Sequence, residues 1–125
     1  MLDTHVLFWW LTERARLSST ALSAISHQGV EVCVSLVSAW EMSIKIGAGK
    51  RVEATPVLND FEKHLAAEEF RLMPISLDHV RRAGLMQSPH RDPFDRLLAA
   101  QAEIEGLTLV TADARLASLG IPVLW

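Results

Sequence analysis

One cysteine, Cys33, is all the thiol chemistry this chain holds. A lone cysteine can form neither an internal disulfide nor a multi-cysteine zinc site. It lies in Glu31-Val32-Cys33-Val34-Ser35, a stretch that reads as a buried strand, where a free thiol is expected to pack in a core. Also missing is any run near the roughly 18 apolar residues needed to span a bilayer, so no membrane role is expected. No charged-then-apolar leader precedes the folding pattern, because Met1 opens straight into it; a cytoplasmic location is therefore the expectation. Low-complexity segments, internal repeats and linkers are absent too. The 125 residues read as one domain, residues 1–125, long enough to bury a single core. Finally, positive charge is scarce: the formal net charge is −3. A surface that grips nucleic acid by neutralising phosphates would be basic. That argues against a broad DNA-binding face, but leaves room for an acidic site whose bound cations restore local positive potential.

What the sequence does contain is an alternation of short apolar runs with helical stretches. Residues 1–2 predict the end of a first strand, closed by Asp3. Residues 5–11 predict a helix. Ser18 and Ser19 are placed to cap another through about residue 27, with Gly29 ending it. Residues 30–35 form a β-branched run typical of a strand. Residues 37–46 predict a helix stopped by Gly47 and Gly49. Pro56 suits the first helical position of a segment reaching about residue 70. Residues 71–75 predict a third strand, and 77–86 a helix ended before Pro89. Residues 93–105 give the clearest helix, with Gly106 as its terminator. A strand at 107–111, a short helix at 113–119 and a last strand at 122–124 complete the chain. Strands alternating with helices imply an α/β domain: a three-layer α/β/α sandwich around a central, mostly parallel sheet of about five strands. In such folds ligands bind outside the carboxyl ends of the strands.

The acids fall at that edge. Asp3 follows the first strand, Glu41 lies one turn into the helix after the second, and Asp113 follows the strand ending near Thr111. Asp95 is near the start of the helix leading into that later strand. All four are oxygen donors with no histidine pair or cysteine cluster beside them, which suits Mg²⁺ or Mn²⁺. Two carboxylates at ~4 Å repel by about 4 kcal/mol at an effective dielectric of 20. A metal-free cluster should retain protons, and cations would relieve the repulsion.

Four segments resemble one known family. Leu2-Asp3-Thr4-His5-Val6-Leu7-Phe8-Trp9-Trp10-Leu11 is similar to the opening of a PIN-domain toxin. Ser35-Leu36-Val37-Ser38-Ala39-Trp40-Glu41 resembles the second acidic motif of that family. His90-Arg91-Asp92-Pro93-Phe94-Asp95-Arg96-Leu97-Leu98-Ala99-Ala100-Gln101-Ala102 resembles the third, and Leu109-Val110-Thr111-Ala112-Asp113 the fourth. The resemblance covers essentially the whole chain in the right order. It implies a VapC-type toxin of a type II toxin–antitoxin pair: an endoribonuclease that uses one or two Mg²⁺ or Mn²⁺ ions to cut structured RNA, is silenced by a cognate antitoxin, and is commonly a homodimer. By the resemblance Asp3, Glu41, Asp95 and Asp113 are the metal ligands and catalytic residues. The motif also makes Asp92 a supporting residue. Thr111 reads as able to hydrogen-bond Asp113 or a water, or as a plain β-branched strand residue, and Thr4 has the same standing; Arg91 and Arg96, beside the acidic motif, are candidates for contacting RNA. The family usually carries a few apolar residues before its first aspartate, whereas here only Met1 and Leu2 stand there. That predicts either a very short first strand or a true start upstream.

Local readings compete with these roles. Ser38 with Glu41 fits a capping box, and Glu41 with Lys45 an i,i+4 ion pair. Asp92 reads as a helix N-cap before Pro93, with Asp95 favoured by the helix dipole. Asp113 fits as the cap of the short helix after it. His5 and His90 read as structural, hydrogen-bonded residues. The tryptophans read as core or interface. Since Trp9 and Trp10 cannot share a helix face, one of them is expected to reach a dimer or antitoxin surface. Two other classes are set aside: a catalytically silent PIN-like binding or scaffold module, and a phosphoacceptor signalling domain, which would need a lysine after the last strands where this chain has none.

Overall fold

The computed structural model describes residues 1–88 and 90–125; the helix stop expected at Pro89 lies outside them. Its elements run α1 (Thr4–Thr12), α2 (Ser19–Ser26), β1 (Cys33–Ser35), α3 (Leu36–Gly47), α4 (Thr55–Asn59), α5 (Phe61–Ala67), β2 (Arg71–Met73), α6 (Leu77–Leu85), α7 (Pro93–Ile104), β3 (Leu109–Val110), a 3₁₀ turn (Ala114–Leu119) and β4 (Val123–Leu124). Among the described residues no helix is long and apolar enough to cross a membrane.

Pairing is parallel throughout. β1 pairs with β2 in the register Cys33 to Arg71 and Ser35 to Met73, and β3 pairs with β4, Leu109 to Val123. Leu2 joins the two pairs through single parallel bridges to Val34 and Val110. The backbone shows how tightly it is inserted: Leu2 N donates to Cys33 O at 2.9 Å, Val110 N to Met1 O at 2.9 Å, and Asp3 N to Val110 O at 3.0 Å. The expectation of about five strands is therefore met only in part: among the described residues there are four short strands, joined by the two bridges of Leu2. Their shortness has a local cause. Pro74 follows β2 and Pro122 precedes β4, and proline has no N–H to offer a ladder. Before β2, Phe70 N is already bonded to Leu65 O at 2.8 Å. The run at 30–35 consequently forms a strand only over its last three residues.

Successive residues of these strands point to opposite faces, and each face meets its own apolar cluster. Met1, Cys33, Met73 and Leu109 join a core with Leu97, Leu98, Leu116 and Ile121. Leu2, Val34 and Val110 join another with Val6, Leu7, Trp10, Ile25 and Phe61. Each fully buried aliphatic side chain contributes about 1.5–3 kcal/mol, so both faces hold the edge residues of the sheet in place. Cys33 is fully buried, as expected of core packing.

Helix ends follow their side chains. Ser18 caps α2 by accepting from Ala21 N at 3.0 Å. Asp92 caps α7, accepting from Phe94 N at 2.9 Å, with Pro93 as the first helical residue. Gly106 takes φ +65° just past the end of α7, the left-handed geometry that suits glycine. The helix expected from Pro56 to about residue 70 is instead two pieces broken at Asp60, whose φ is −111°. Asn and Asp favour caps over helix interiors. Val57, Phe61 and Leu65 still lie on one buried side.

Candidate active site

Asp3 is the N-cap residue of α1, yet its carboxylate makes no capping bond. It is 4% exposed, with Oδ2 accepting from the Thr111 hydroxyl at 2.7 Å. Burial pushes the Asp3 carboxyl above its ordinary range; the Thr111 bond and nearby His5 pull it back, and the charge of Glu41 pushes it up again.

Glu41 projects from α3 and is also 4% exposed. Lys45, one turn on, donates to Oε1, so the i,i+4 pair exists. The capping box with Ser38 does not: Ser35 caps α3, accepting from Val37 N at 3.0 Å. Ser38 instead lies inside the helix, fully buried, and accepts from the Thr4 hydroxyl at 3.1 Å. Oε2 of Glu41 is buried with no hydrogen-bond partner among the described residues. A buried unpaired carboxylate oxygen is costly, and nothing in the fold requires it.

Asp95 stands in the first turn of α7, its side chain 17% exposed, with Oδ2 2.6 Å from His90 Nε2. Burial raises its carboxyl above the ordinary range; His90 opposes this, while the charges of Asp92 and Asp3 add to it. Asp3 thus feels Glu41, and Asp95 feels Asp3, through like charge.

Asp113 differs. Its side chain is 28% exposed, and Arg115 forks it, Nε to Oδ1 and Oδ2 at 2.9 and 3.0 Å and Nη2 to Oδ2 at 2.5 Å. That guanidinium holds the Asp113 carboxyl down at about 2. Oδ1 also accepts from Arg115 N at 2.9 Å, so Asp113 does cap the turn that follows. Its own N–H donates to Thr111 Oγ1 at 3.0 Å. Thr111 therefore links Asp113 to Asp3 through one hydroxyl. Asp3, His5, Trp9, Ala112, Asp113 and Arg115 line one open cleft of ≈ 300 Å³.

Among the described residues, no three His, Cys, Asp or Glu side chains are gathered tightly enough to hold an ion as they stand. The donor set nevertheless fits a hard cation at one end. Asp3, Glu41 and Asp95 share a field of like charge, and Glu41 keeps a buried oxygen without a partner. The expected convergence of four acids is thus only partial, with the Asp113 carboxylate turned to Arg115.

The supporting residues separate similarly. Thr111 touches Asp3, Thr4 reaches Ser38, and Asp92 is engaged as a helix cap. Arg91 lines a neighbouring cleft with His90, Asp92, Arg115 and Ser118. Arg96, expected to contact RNA, donates in the free chain to the carbonyls of Ala83 at 3.0 Å and of Met86, tying down the end of α6. His90, read as structural, proves to be a direct partner of Asp95. Its position five residues upstream in the same motif was the available signal. Arg115 was missed as the partner of Asp113, and Ser38 as the partner of Thr4. Trp10 is buried, whereas Trp9 is half-buried against Trp125 with ring centroids 5.9 Å apart.

An α/β domain with parallel strands, helices on both faces and buried acids beyond the strand ends defines a PIN-type fold. The chain belongs to the PIN domain family, whose profile matches residues 1–122. Over 120 residues it is 38% identical to Ribonuclease VapC22 of Mycobacterium tuberculosis, covering 94% of this chain and 89% of that protein. Its fold is similar to that in VapBC2 from Rickettsia felis bound to a DNA fragment from the promoter, with a TM-score of 0.70, 16% identity and coverage of 99% and 96%. It is also similar to a chain of a toxin–antitoxin complex from Klebsiella pneumoniae, with a TM-score of 0.65, 25% identity and coverage of 99% and 94%.

Proposed function

We propose that this chain is a metal-dependent endoribonuclease, the toxin of a type II toxin–antitoxin pair, acting in the cytoplasm as one PIN domain over residues 1–125. The observation that carries the reading is the buried pair Asp3 and Glu41, with an unpartnered Glu41 oxygen, beside Asp95. The family match and the likeness to a named ribonuclease support it. Leu2, bridged on both sides, is read as a fifth, central strand reduced to a single rung. A homodimer and a cognate antitoxin are further parts of the proposal, the latter supported by the toxin–antitoxin complex of similar fold.

Asp3, Glu41 and Asp95 would hold one or two Mg²⁺ or Mn²⁺ ions, with Asp113 completing the set. A bound divalent cation supplies an activated water and stabilises the oxygen leaving a phosphodiester. The chain's own groups do the rest. Thr111 fixes the rotamer of Asp3 by donating to Oδ2. Thr4 and Ser38 tie α1 to α3, setting Asp3 against Glu41. His90 anchors Asp95 and is placed to exchange a proton at Nε2. Support of this kind keeps ligand oxygens in register, and its loss typically costs 10–100-fold in metal affinity.

The test is cleavage of total cellular RNA by the purified, antitoxin-free chain in Mn²⁺, Mg²⁺ or EDTA, alongside Asp3→Asn and Asp95→Asn. Discrete cleavage that needs metal and disappears in both variants is the expected result. A folded protein that neither cuts RNA nor binds an ion by calorimetry would leave a silent binding module as the better reading.

A further inference from the structure

Arg115 stands where two clefts of the acidic edge meet. It lines the one containing Asp3 and Asp113 and the one containing His90 and Arg91. Its side chain is 76% exposed. Nε and Nη2 grip Asp113, and Nη1 has no hydrogen bond among the described residues. Of the other cations nearby, Lys45 is committed to Glu41 and Arg96 to the carbonyls at the end of α6, while exposed Arg91 shares the second cleft with Arg115. An acidic site must still accept a polyanion, and Arg115 is an exposed cation bonded directly to one of its carboxylates.

We propose that Arg115 is a phosphate-binding residue that holds Asp113 in the free protein and releases it to the cation site when an RNA phosphate takes over the guanidinium. This rests on the ribonuclease reading above. Carboxylate and phosphate are interchangeable bidentate partners of a guanidinium. An exposed ion pair is weakly held, so the exchange is easy. Asp113 stays in place during it, because its N–H remains bonded to Thr111 and Oδ1 to the Arg115 N–H. The backbone of Asp113 is tied to Asp3 through the Thr111 hydroxyl, which accepts from Asp113 N and donates to Asp3 Oδ2, and Asp3 and Asp113 line the same cleft. Without RNA, Arg115 competes with ions for Asp113. With RNA, the same residue neutralises a phosphate beside the acids that would repel it.

The test uses the full chain with Arg115→Gln and Arg115→Lys, checked for unchanged melting. Mn²⁺ binding is measured by calorimetry without RNA, and binding of a fluorescent RNA hairpin is measured in EDTA across a salt series. Both variants are expected to bind Mn²⁺ about two- to fivefold more tightly than wild type, the scale of a lost surface ion pair. Arg115→Gln should also reduce the slope of log affinity against log salt by about 0.7–0.9, one phosphate contact. Lysine keeps the charge but cannot fork a carboxylate. If Arg115→Lys binds Mn²⁺ as wild type does, charge alone acts and the latch is overturned. An unchanged salt slope overturns the phosphate contact. If wild type itself binds neither Mn²⁺ nor RNA, the ribonuclease reading falls instead, and the two failures are told apart by the wild-type result.

Discussion

Two pairs of acids sit at the same edge of this sheet under opposite conditions. Asp92 and Asp113 are satisfied by local partners: each caps the turn that follows, and Asp113 is also gripped by Arg115. Asp3 and Glu41 are not. Asp3 occupies a cap position without capping, and Glu41 leaves one oxygen buried and unpaired. A capping aspartate stabilises a helix by about 0.5–2 kcal/mol, whereas a buried carboxylate held against like charge opposes folding. The difference teaches where to look for chemistry. Acids that cost stability without a structural return mark the site, while a locally satisfied acid carries no such signal by itself.

The sharpest way to break this comparison is Asp3→Asn. RNA cleavage should fall by more than about 100-fold, beyond the range for a residue that only supports a ligand. The metal-free protein should be at least as stable, because the amide oxygen can still accept from Thr111 while the buried charge is gone. Urea unfolding in EDTA alongside single-turnover cleavage reads both quantities. A variant that loses stability as well as activity would make Asp3 an ordinary structural residue. Thr111→Val comes next. It removes the hydroxyl that joins Asp113 N–H to Asp3 Oδ2 but keeps the β-branched shape. Mn²⁺ affinity by calorimetry should drop by about 10–100-fold, and an unchanged affinity would show that Asp3 needs no such anchor.

Much of the fold was legible because it depends on local signals. Ser18, Asp92, Pro93 and Gly106 act where their chemistry places them. The strands were read too long because the ladder is set by partners distant in sequence. β1 ends its pairing where β2 does, and β2 is closed by Pro74 on one side and by the Phe70 bond to Leu65 on the other. The break at Asp60 was missed for a related reason. The apolar spacing of Val57, Phe61 and Leu65 continues straight through it, so periodicity cannot see a backbone that turns without changing its buried side.

The order of the four acids along the chain was equally legible, as was the Glu41–Lys45 pair. What sequence spacing cannot supply is which donor each carboxylate finds across elements. Thr4 meets Ser38 from another helix, and Thr111 meets Asp3 across 108 positions of sequence. Arg96 shows the same limit from the other side. A cation inside an acidic motif suggests a phosphate contact, but the close packing of α6 on α7 offers it backbone carbonyls first. His90 was read as a hydrogen-bonded residue, and only the fold shows that its partner, through Nε2, is Asp95.

The smallest expected effect sharpens the comparison from the other side. Asp92 accepts from Phe94 N at 2.9 Å and, at the limit of a hydrogen bond, from Asp95 N at 3.4 Å. Asp92→Ala should therefore remove a cap and cost about 1 kcal/mol of stability, within the ~0.5–2 kcal/mol span of such substitutions. The same change removes a like charge that raises the Asp95 carboxyl, so it does not weaken Asp95 as a ligand. Mn²⁺ affinity should stay within about twofold of wild type, an interval no wider than a weak surface interaction. Denaturation midpoints in EDTA and calorimetric titration give the two numbers from one preparation. If Asp92→Ala instead leaves stability unchanged and lowers Mn²⁺ affinity tenfold, Asp92 belongs with Asp3 and Glu41, and a capping bond is no longer grounds for setting an acid at this edge aside.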